Sequence, residues 1–172
     1  MTDSRDAGHD RAARIRPATP ADAAAVAALV NAINSLDGTP PPRPMTASVA
    51  GRDLIGPAAR AMLRVAEREG TVVGFATAGF IYDAERQADA LMLLDLYVLP
   101  EARRRGLARA LMARLAAEAL HRGAECLWWG VDEGDGEATA FYRAIGAASE
   151  GRFSGEILEG EALRRLAAEH RE

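Results

Sequence analysis

The chain has 172 residues, of which 49% are hydrophobic and 27% are charged, and its formal net charge at pH 7 is -4. This length suffices for one domain with a buried core, and the composition is that of an ordinary soluble globular protein. The longest apolar stretches fall far short of the roughly 20 residues of a membrane helix, and the acidic charge argues against bulk nucleic-acid binding. We therefore expect neither a membrane nor a nucleic acid among the partners.

The N-terminal stretch and the residue usage restrict the location and the chemistry. Residues 1–12 are polar and charged, unlike a secretory signal, which predicts a flexible arm and a cytoplasmic location. The single cysteine, Cys126, cannot form an internal disulfide, and its apolar neighbours favour a buried side chain over a nucleophile. All 21 basic residues are arginine, which excludes Schiff-base chemistry on a lysine. No metal site is expected.

The first third of the sequence predicts a strand, two helices and a loop between them. The segment "ARIRPAT" is typical of a short strand, and the alanine-rich segment after it predicts a helix with Thr19 as its N-cap and Pro20 at its first position. Three consecutive prolines then require an extended loop. After the loop, "TASVAGRDLI" predicts a weaker helix that ends at Gly56.

The middle of the chain predicts three strands and then a helix. The segments "AMLRVAERE" and "TVVGFATAGFIY" flank Gly70 as the two strands of a hairpin, and "ALMLLDLYVL" is a third strand that ends at Pro100. From Gly106 to about His121 the apolar residues recur at helical spacing, which predicts an amphipathic helix.

The last third predicts a strand in "ECLWWGV", a short helix in "EATAFYRAIGA", a last strand in "RFSGEIL" and a final helix with Leu163 and Leu166 facing inward. The strand that ends at Pro100 reaches the "ECLWWGV" strand through a helix, so these two strands should be parallel. This order of elements predicts an α/β fold with a largely antiparallel sheet and one parallel pair of strands.

An arginine-rich turn, "PEARRRGLARAL", joins the third strand to its helix. A strand that stops at a proline and turns into a helix leaves the first backbone N–H groups of the helix unpaired. Together with the helix dipole, those groups form a site for an anion. Gly106 allows a phosphate to approach the backbone, and the arginines around it add positive charge. The stretch has neither a Gly-Lys-Ser/Thr sequence nor a dinucleotide fingerprint, and by itself it fits an anion site and a solvated surface equally.

The surroundings of this turn carry a resemblance to a known family. Arg103, Gly106 and Ala108 have the spacing of its signature, directly after "LDLYVLPEA" and ahead of "FYRAIGA". On these residues the chain resembles the GNAT superfamily of N-acetyltransferases over nearly its whole length. Within it, the chain looks most similar to the diamine acetyltransferase group, which acetylates polyamines, thialysine and related small amines.

The resemblance implies a fold, a cosubstrate and partners. The fold would be a GNAT-type mixed, mostly antiparallel central sheet with a splayed parallel pair of strands and helices on both faces, in one N-acetyltransferase domain over residues 13–172. The cosubstrate would be acetyl-CoA, with no metal. The partners would be a small-molecule amine as acceptor and a second copy of the chain in a homodimer.

The resemblance also implies where acetyl-CoA binds. Its pantetheine arm would lie like an added strand against Leu96, Tyr97 and Val98, and the N–H of Val98 would polarise the thioester carbonyl. The diphosphate would bind the main-chain amides and the arginines of the turn. The residues implied there are Arg103, Arg104, Arg105, Gly106, Leu107, Ala108 and Arg109.

Two residues further on complete the implied site. In the family, the tyrosine of the "FY" pair protonates the departing thiolate, which assigns that role to Tyr142 rather than a place in the core. Asp135 stands where relatives commonly have an asparagine that contacts the cofactor. An ionised aspartate cannot donate a hydrogen bond to the cofactor, and the alternative is that it caps the following helix.

The sequence leaves the acceptor and the base open. The pKa of an amine in water is about 10, so its proton must be removed, and Asp95, Asp132 and Glu133 are the candidate bases. Asp95 either is hydrogen-bonded within the structure or lines the acceptor pocket, because an unpaired carboxylate is costly in an apolar strand. Trp128 and Trp129 face opposite sides of their strand, so at most one lines that pocket. A protein amine, an antibiotic amine and a non-catalytic acetyl-CoA sensor are the alternatives.

Overall fold

The computed structural model describes residues 13–151 and 153–170, and these divide into two compact units. The first unit ends at Val131 and the second begins at Asp132. The arm predicted over residues 1–12 lies outside the described residues, and the single domain predicted over residues 13–172 stays a prediction. In the part of the chain that the structure describes, no helix combines the length and the hydropathy of a membrane span.

The described part of the first unit contains five strands and three α-helices. They are β1 (Arg14–Pro17), α1 (Ala23–Ile33), α2 (Ala47–Ala50), β2 (Met62–Arg68), β3 (Thr71–Asp83), β4 (Ala88–Val98), α3 (Leu107–His121) and β5 (Cys126–Trp128). The strands form one sheet in the order β1-β2-β3-β4-β5. All neighbours are antiparallel except β4 and β5, which are parallel. This confirms the predicted mixed α/β fold with one parallel pair.

One face of the sheet packs against α1 and α2. Val26 and Leu29, which the helical spacing of α1 predicts to be buried, belong to one core cluster with Val65, Phe75 and Tyr97. Burying an apolar side chain of this size contributes about 2 kcal/mol. This cluster therefore holds α1 against the middle of the sheet.

The opposite face of the sheet packs against α3. Leu111 and Leu115 of this helix are fully buried. Ala66 and Ala76 alternate with Val65 and Phe75 along their strands, so they face the α3 side, and their small side chains let the helix approach the sheet. The predicted arrangement of helices on both faces is thus confirmed.

The start of α1 is fixed by a cap and an ion pair. Thr19 is the N-cap of a short 3-10 turn that Pro20 opens, so both residues start a helical turn as predicted, but the α-helix itself begins three residues later, at Ala23. The backbone N of Thr19 donates to Oδ2 of Asp22 at 2.7 Å, and the guanidinium of Arg16 donates to both carboxylate oxygens of Asp22 at 2.7 and 2.9 Å. The hydrogen bond from Arg16 outweighs burial and lowers the pKa of Asp22 well below its usual range.

Replacing Asp22 with asparagine is expected to lower the free energy of unfolding by about 2 kcal/mol at neutral pH, because Arg16 would lose one of its two charge partners in a largely buried place and keep only Glu67. The folded-state pKa of Asp22 is depressed, so its contribution is complete above the unfolded pKa of about 4 and is lost as pH falls through the folded pKa. The difference between wild type and variant should therefore shrink in acid. Urea unfolding at a series of pH values measures it.

The Arg52–Asp53 pair provides a control, since its N–O distance is also short, at 2.6 Å, but the Arg52 side chain is 66% exposed. Such an exposed pair contributes little, and Asp53→Asn should leave stability unchanged. An equal loss in both variants, or a loss in Asp22→Asn that does not depend on pH, would contradict this account.

The described part of the second unit contains α4 (Gly136–Ala144) and α5 (Gly160–Ala167), as predicted. The strand predicted in "RFSGEIL" is wrong, since residues 153–158 form neither helix nor strand. The prediction that Leu163 and Leu166 face inward is also wrong, because they are 51% and 55% exposed. The amphipathic pattern of α5 identifies an apolar face, but it does not determine whether another element covers that face.

Candidate functional site

The parallel strands β4 and β5 stay paired over a short distance only. Their register runs from Ala90–Cys126 to Met92–Trp128, so β5 is shorter than the predicted strand in "ECLWWGV". Strand β4 continues to Val98 and remains paired with β3 to its end. Residues 93–98 of β4 therefore have β3 along one edge and no described strand along the other.

The backbone groups of Leu96 and Val98 point to this open edge. The amide of Leu99 donates to the carbonyl of Val73 on the β3 side, at 2.9 Å. Backbone groups alternate between the two edges of an antiparallel strand, so Tyr97 shares the orientation of Leu99, and Leu96 and Val98 face away from β3. These are groups that an extended chain with amides can pair with. The side chain of Tyr97, 7% exposed, lies in the core under α1.

The turn after β4 leaves the start of α3 uncapped. Gly106 is the N-cap with φ 79°, and no side chain caps the helix. A Cβ placed on Gly106 would meet no atom within 4 Å, so the space before the helix is open. Ala110 is the residue whose amide donates to Gly106 O, at 2.9 Å. The amides of Leu107 and Ala108 precede it and have no partner within the helix, so they are available to an anion.

The arginines of the turn differ in their contacts. Arg103 reaches back, since its Nε donates to the carbonyl of Val98 at 3.0 Å and its guanidinium lies 5.7 Å from the centroid of the Tyr97 ring. Arg104 adopts a left-handed conformation with φ 61°, which is uncommon outside glycine. Arg104 and Arg105 are exposed. Arg103 thus fixes the turn to the end of β4, and the next two arginines display positive charge beside the helix start.

A partly buried ion pair that the sequence analysis missed holds α3 on the sheet. Nε and Nη2 of Arg64 on β2 donate to the two carboxylate oxygens of Glu118, each at 2.7 Å, and Arg114 also donates to Glu118. Burial raises the pKa of Glu118. The hydrogen bonds from the two arginines lower it by more than burial raises it, so the pKa lies below its usual value. The partners are far apart in the sequence, so no local pattern reveals this pair.

Asp95 lies on β4 opposite Thr77, and the Thr77 hydroxyl donates to its Oδ2. Thr77 is 3% exposed, and Asp95 is half-buried. This confirms the alternative in which Asp95 is hydrogen-bonded within the structure. Thr77 and its role were missed, although a lone hydroxyl in the apolar strand "TVVGFATAGFIY" is a signal for them.

The register also separates the two tryptophans. Trp128 pairs with Met92, and Met92 pairs with Gly79. Cross-strand partners lie on the same face of a sheet, as do alternate residues along a strand. Trp128 is therefore on the face of Thr77 and Asp95, whereas Trp129 lies just beyond the end of β5, so its predicted position on the opposite face stays a prediction.

Tyr142 and Asp135 lie in the second unit, on α4 and at its N-cap. Oδ1 of Asp135 accepts a hydrogen bond from the Ala138 amide at 2.8 Å, which confirms the alternative that Asp135 caps this helix. Tyr142 is half-buried, and burial, followed by the negative charge of Asp135, raises the pKa of its phenol. The other candidate bases, Asp132 and Glu133, are exposed and precede α4.

Comparisons with known proteins identify a family. The model described as the acetyltransferase (GNAT) family matches residues 30–147. No curated protein matches the sequence.

Among solved structures, an integron cassette protein from V. cholerae is 22% identical with a TM-score of 0.74, covering 90% of this chain and 97% of its own. A ribosomal-protein-alanine N-acetyltransferase from Brucella melitensis is 21% identical with a TM-score of 0.66, covering 87% and 100%. The aminoglycoside N-acetyltransferase AAC(6')-Iy in complex with CoA is 20% identical with a TM-score of 0.70, covering 85% and 94%. At these identities the likeness concerns the fold.

With a family match over more than half of its length, the chain belongs to the acetyltransferase (GNAT) family and is an acetyl-CoA-dependent N-acetyltransferase.

Proposed function

We propose that the protein transfers the acetyl group of acetyl-CoA to the primary amine of a small molecule, by direct attack of the amine within a ternary complex. The observation that carries this proposal is the sequence of backbone donors from the open edge of β4 to the uncapped start of α3. An extended chain that contains amides and ends in a diphosphate matches such a row of donors.

Acetyl-CoA supplies an activated thioester when bound. Leu96 and Val98 would pair with the amides of its pantetheine arm, and the N–H of Val98 would stabilise negative charge on the thioester oxygen. The amides of Leu107 and Ala108 would hold the diphosphate, assisted by the charges of the neighbouring arginines. Arg103 would keep the carbonyl of Val98 engaged and so help to orient that peptide.

The reaction requires a proton to leave the amine and another to reach the sulfur. The amine nitrogen forms a bond to the carbonyl carbon, the C–S bond breaks, and the thiolate takes a proton from the Tyr142 phenol. The raised pKa of Tyr142 keeps its phenol protonated at neutral pH, as a general acid must be before the step. Before the attack, the ammonium would pass one proton to Asp95 or, through water, to another carboxylate. After the attack, the second proton lost from the nitrogen would return through water to the Tyr142 phenolate.

Other acceptors and assembly states are further proposals. The resemblance to diamine acetyltransferases favours a polyamine-like or amino-acid-like amine, whereas solved structures of the same fold include acetyltransferases named for aminoglycosides and for a ribosomal protein. We also propose a cytoplasmic homodimer. The exposed side chains of Leu163 and Leu166 on α5 support the dimer. If two copies of α5 paired antiparallel, the acidic first turn of each helix would face the basic last turn of the other.

A thiol-release assay over a panel of amines tests the proposed reaction. We expect acetyl-CoA to bind and at least one small primary amine to be acetylated. Tight binding of acetyl-CoA without turnover of any amine would favour a sensor instead. A protein that does not bind acetyl-CoA would contradict both functions.

Replacing Asp135 with asparagine is expected to lower the pKa of Tyr142 toward, but not to, its ordinary value, because burial is the larger cause of the upward shift. Asparagine is also a good N-cap, so α4 should be retained. Phenolate absorbance in an alkaline titration, with the matching Tyr142→Phe protein subtracted, measures this pKa. Glu137→Gln is the control, since it removes a charge from the same helix turn without being a cause of the shift. Equal changes in both variants would contradict the assignment.

A further inference from the structure

A β-bulge places a carboxylate on an otherwise apolar part of the sheet. The register of β3 and β4 passes from Ala78–Leu93 to Thr77–Asp95, so Leu94 is an extra residue in β4. Bulges of this kind re-aim side chains and are frequent next to functional sites. Leu94 is 53% exposed, and Asp95 follows it with one oxygen held by the Thr77 hydroxyl.

The face that carries Asp95 continues as an apolar surface toward β5. Met92 and Trp128 lie on it and are half-buried, and neither belongs to the core cluster under α1 and α2. The opposite face is closed by the buried leucines of α3. We name the surface formed by Met92, Leu94, Asp95 and Trp128 the acceptor floor, because it is the less covered face beside the open edge of β4.

The acceptor floor carries one negative charge. Of the other acids in β3 and β4, Asp89 pairs with Tyr82 on the opposite face, and Asp83 at the far end of β3 binds Arg86 at 2.6 Å. Asp95 has no ion-pair partner among the described residues. The Thr77 hydroxyl occupies Oδ2 of Asp95, and a bound ammonium would add a charge-assisted hydrogen bond to the same carboxylate.

Resting on the proposed function, we infer that the acceptor is a small amine with a single cationic group on an apolar body. Its amine binds Asp95, and its body packs on Met92, Leu94 and the Trp128 ring. A second ammonium, as in the polyamines that the resemblance favours, would lie on apolar side chains with no carboxylate of the floor to pair with, so this inference selects against them. Desolvating that charge without a partner costs more than one order of magnitude in binding.

Steady-state kinetics with two sets of amines test this inference. The single-cation probes are phenethylamine and hexylamine, and the multi-cation probes are putrescine, spermidine and kanamycin. We expect kcat/KM to be about tenfold or more higher for the single-cation probes. Asp95→Asn should lower kcat/KM for every probe by about tenfold or more, because the ammonium loses its charge partner.

A charge-addition variant sharpens the test. Leu94→Glu places a second carboxylate beside Asp95 and should shift the putrescine-to-hexylamine ratio of kcat/KM toward putrescine by about tenfold. Leu120→Glu is the matched control, since Leu120 is 72% exposed on α3 and the change in charge is the same. This control should leave the ratio unchanged.

The outcomes separate the inference from the proposed function. If the wild type prefers the multi-cation probes, or if Leu94→Glu and Leu120→Glu give the same ratio, the inference is wrong, but acetylation of those probes still supports the proposed function. If acetyl-CoA does not bind, or no amine is acetylated, both are wrong.

Discussion

Replacing Tyr142 with phenylalanine is expected to lower kcat by about 100-fold or more, because the thiolate would leave without its general acid. The affinity for acetyl-CoA should be unchanged, since in the proposed reaction the phenol gives its proton only as the C–S bond breaks and not in the ground state. An equal decrease in kcat and in kcat/KM would indicate a loss that occurs only in the transition state. Steady-state thiol release and calorimetric titration with acetyl-CoA measure the two quantities.

Tyr82→Phe is the control for this prediction. Tyr82 is 67% exposed on β3 and has no assigned role, so its hydroxyl should be dispensable for turnover. Activity of Tyr142→Phe within about twofold of wild type would exclude the phenol as the acid, since general acids contribute at least about 100-fold.

The second large effect is expected at the start of α3. Gly106→Asp should weaken acetyl-CoA binding by about 30-fold, because a carboxylate there would repel the diphosphate by about 2 kcal/mol at a separation of about 8 Å and an effective dielectric of about 20. It would also occupy the helix amides as a cap. Gly106→Asn, which caps without charge, should lose less. Calorimetric titration with acetyl-CoA measures these affinities.

Gly123 is a matched control at the other end of α3. Both glycines have φ 79°, and a Cβ on either would meet nothing within 4 Å, so each substitution should cost about 1 kcal/mol of stability through the same left-handed strain. Gly123→Asp should leave acetyl-CoA affinity as in wild type. If the two aspartate variants lose affinity equally, the helix start is not the diphosphate site.

The elements that the sequence predicts correctly are those with local signals. Alternating apolar residues indicate β3, helical spacing indicates α1 and α3, and Gly70 and Pro100 mark where strands end. Two predictions were wrong, the strand in "RFSGEIL" and the inward orientation of Leu163 and Leu166. Both features depend on a neighbouring element of the structure. A strand needs a paired partner, and an apolar helix face is buried only where another element covers it.

The candidate site also has parts that local sequence signals predict and parts that depend on contacts between distant residues. The spacing of Arg103, Gly106 and Ala108 carries the resemblance that implies a diphosphate site, because these residues lie within one short stretch of the chain. The orientation of the Leu96 and Val98 amides depends on the register with β3, which no single strand specifies. The contacts that fix Asp95 and Glu118 join residues far apart in the chain, and long-range pairs leave no periodic pattern in a sequence.

In the proposed function, backbone amides at the open edge of β4 and the start of α3 hold acetyl-CoA. Titrating acetyl-CoA while following individual backbone amides by NMR shows whether these amides are the ones that bind it. We expect the largest changes at the amides of Leu96, Val98, Leu107 and Ala108, with little change at the exposed end of β1. Absence of binding, or changes confined to amides outside β4 and the start of α3, would contradict the account.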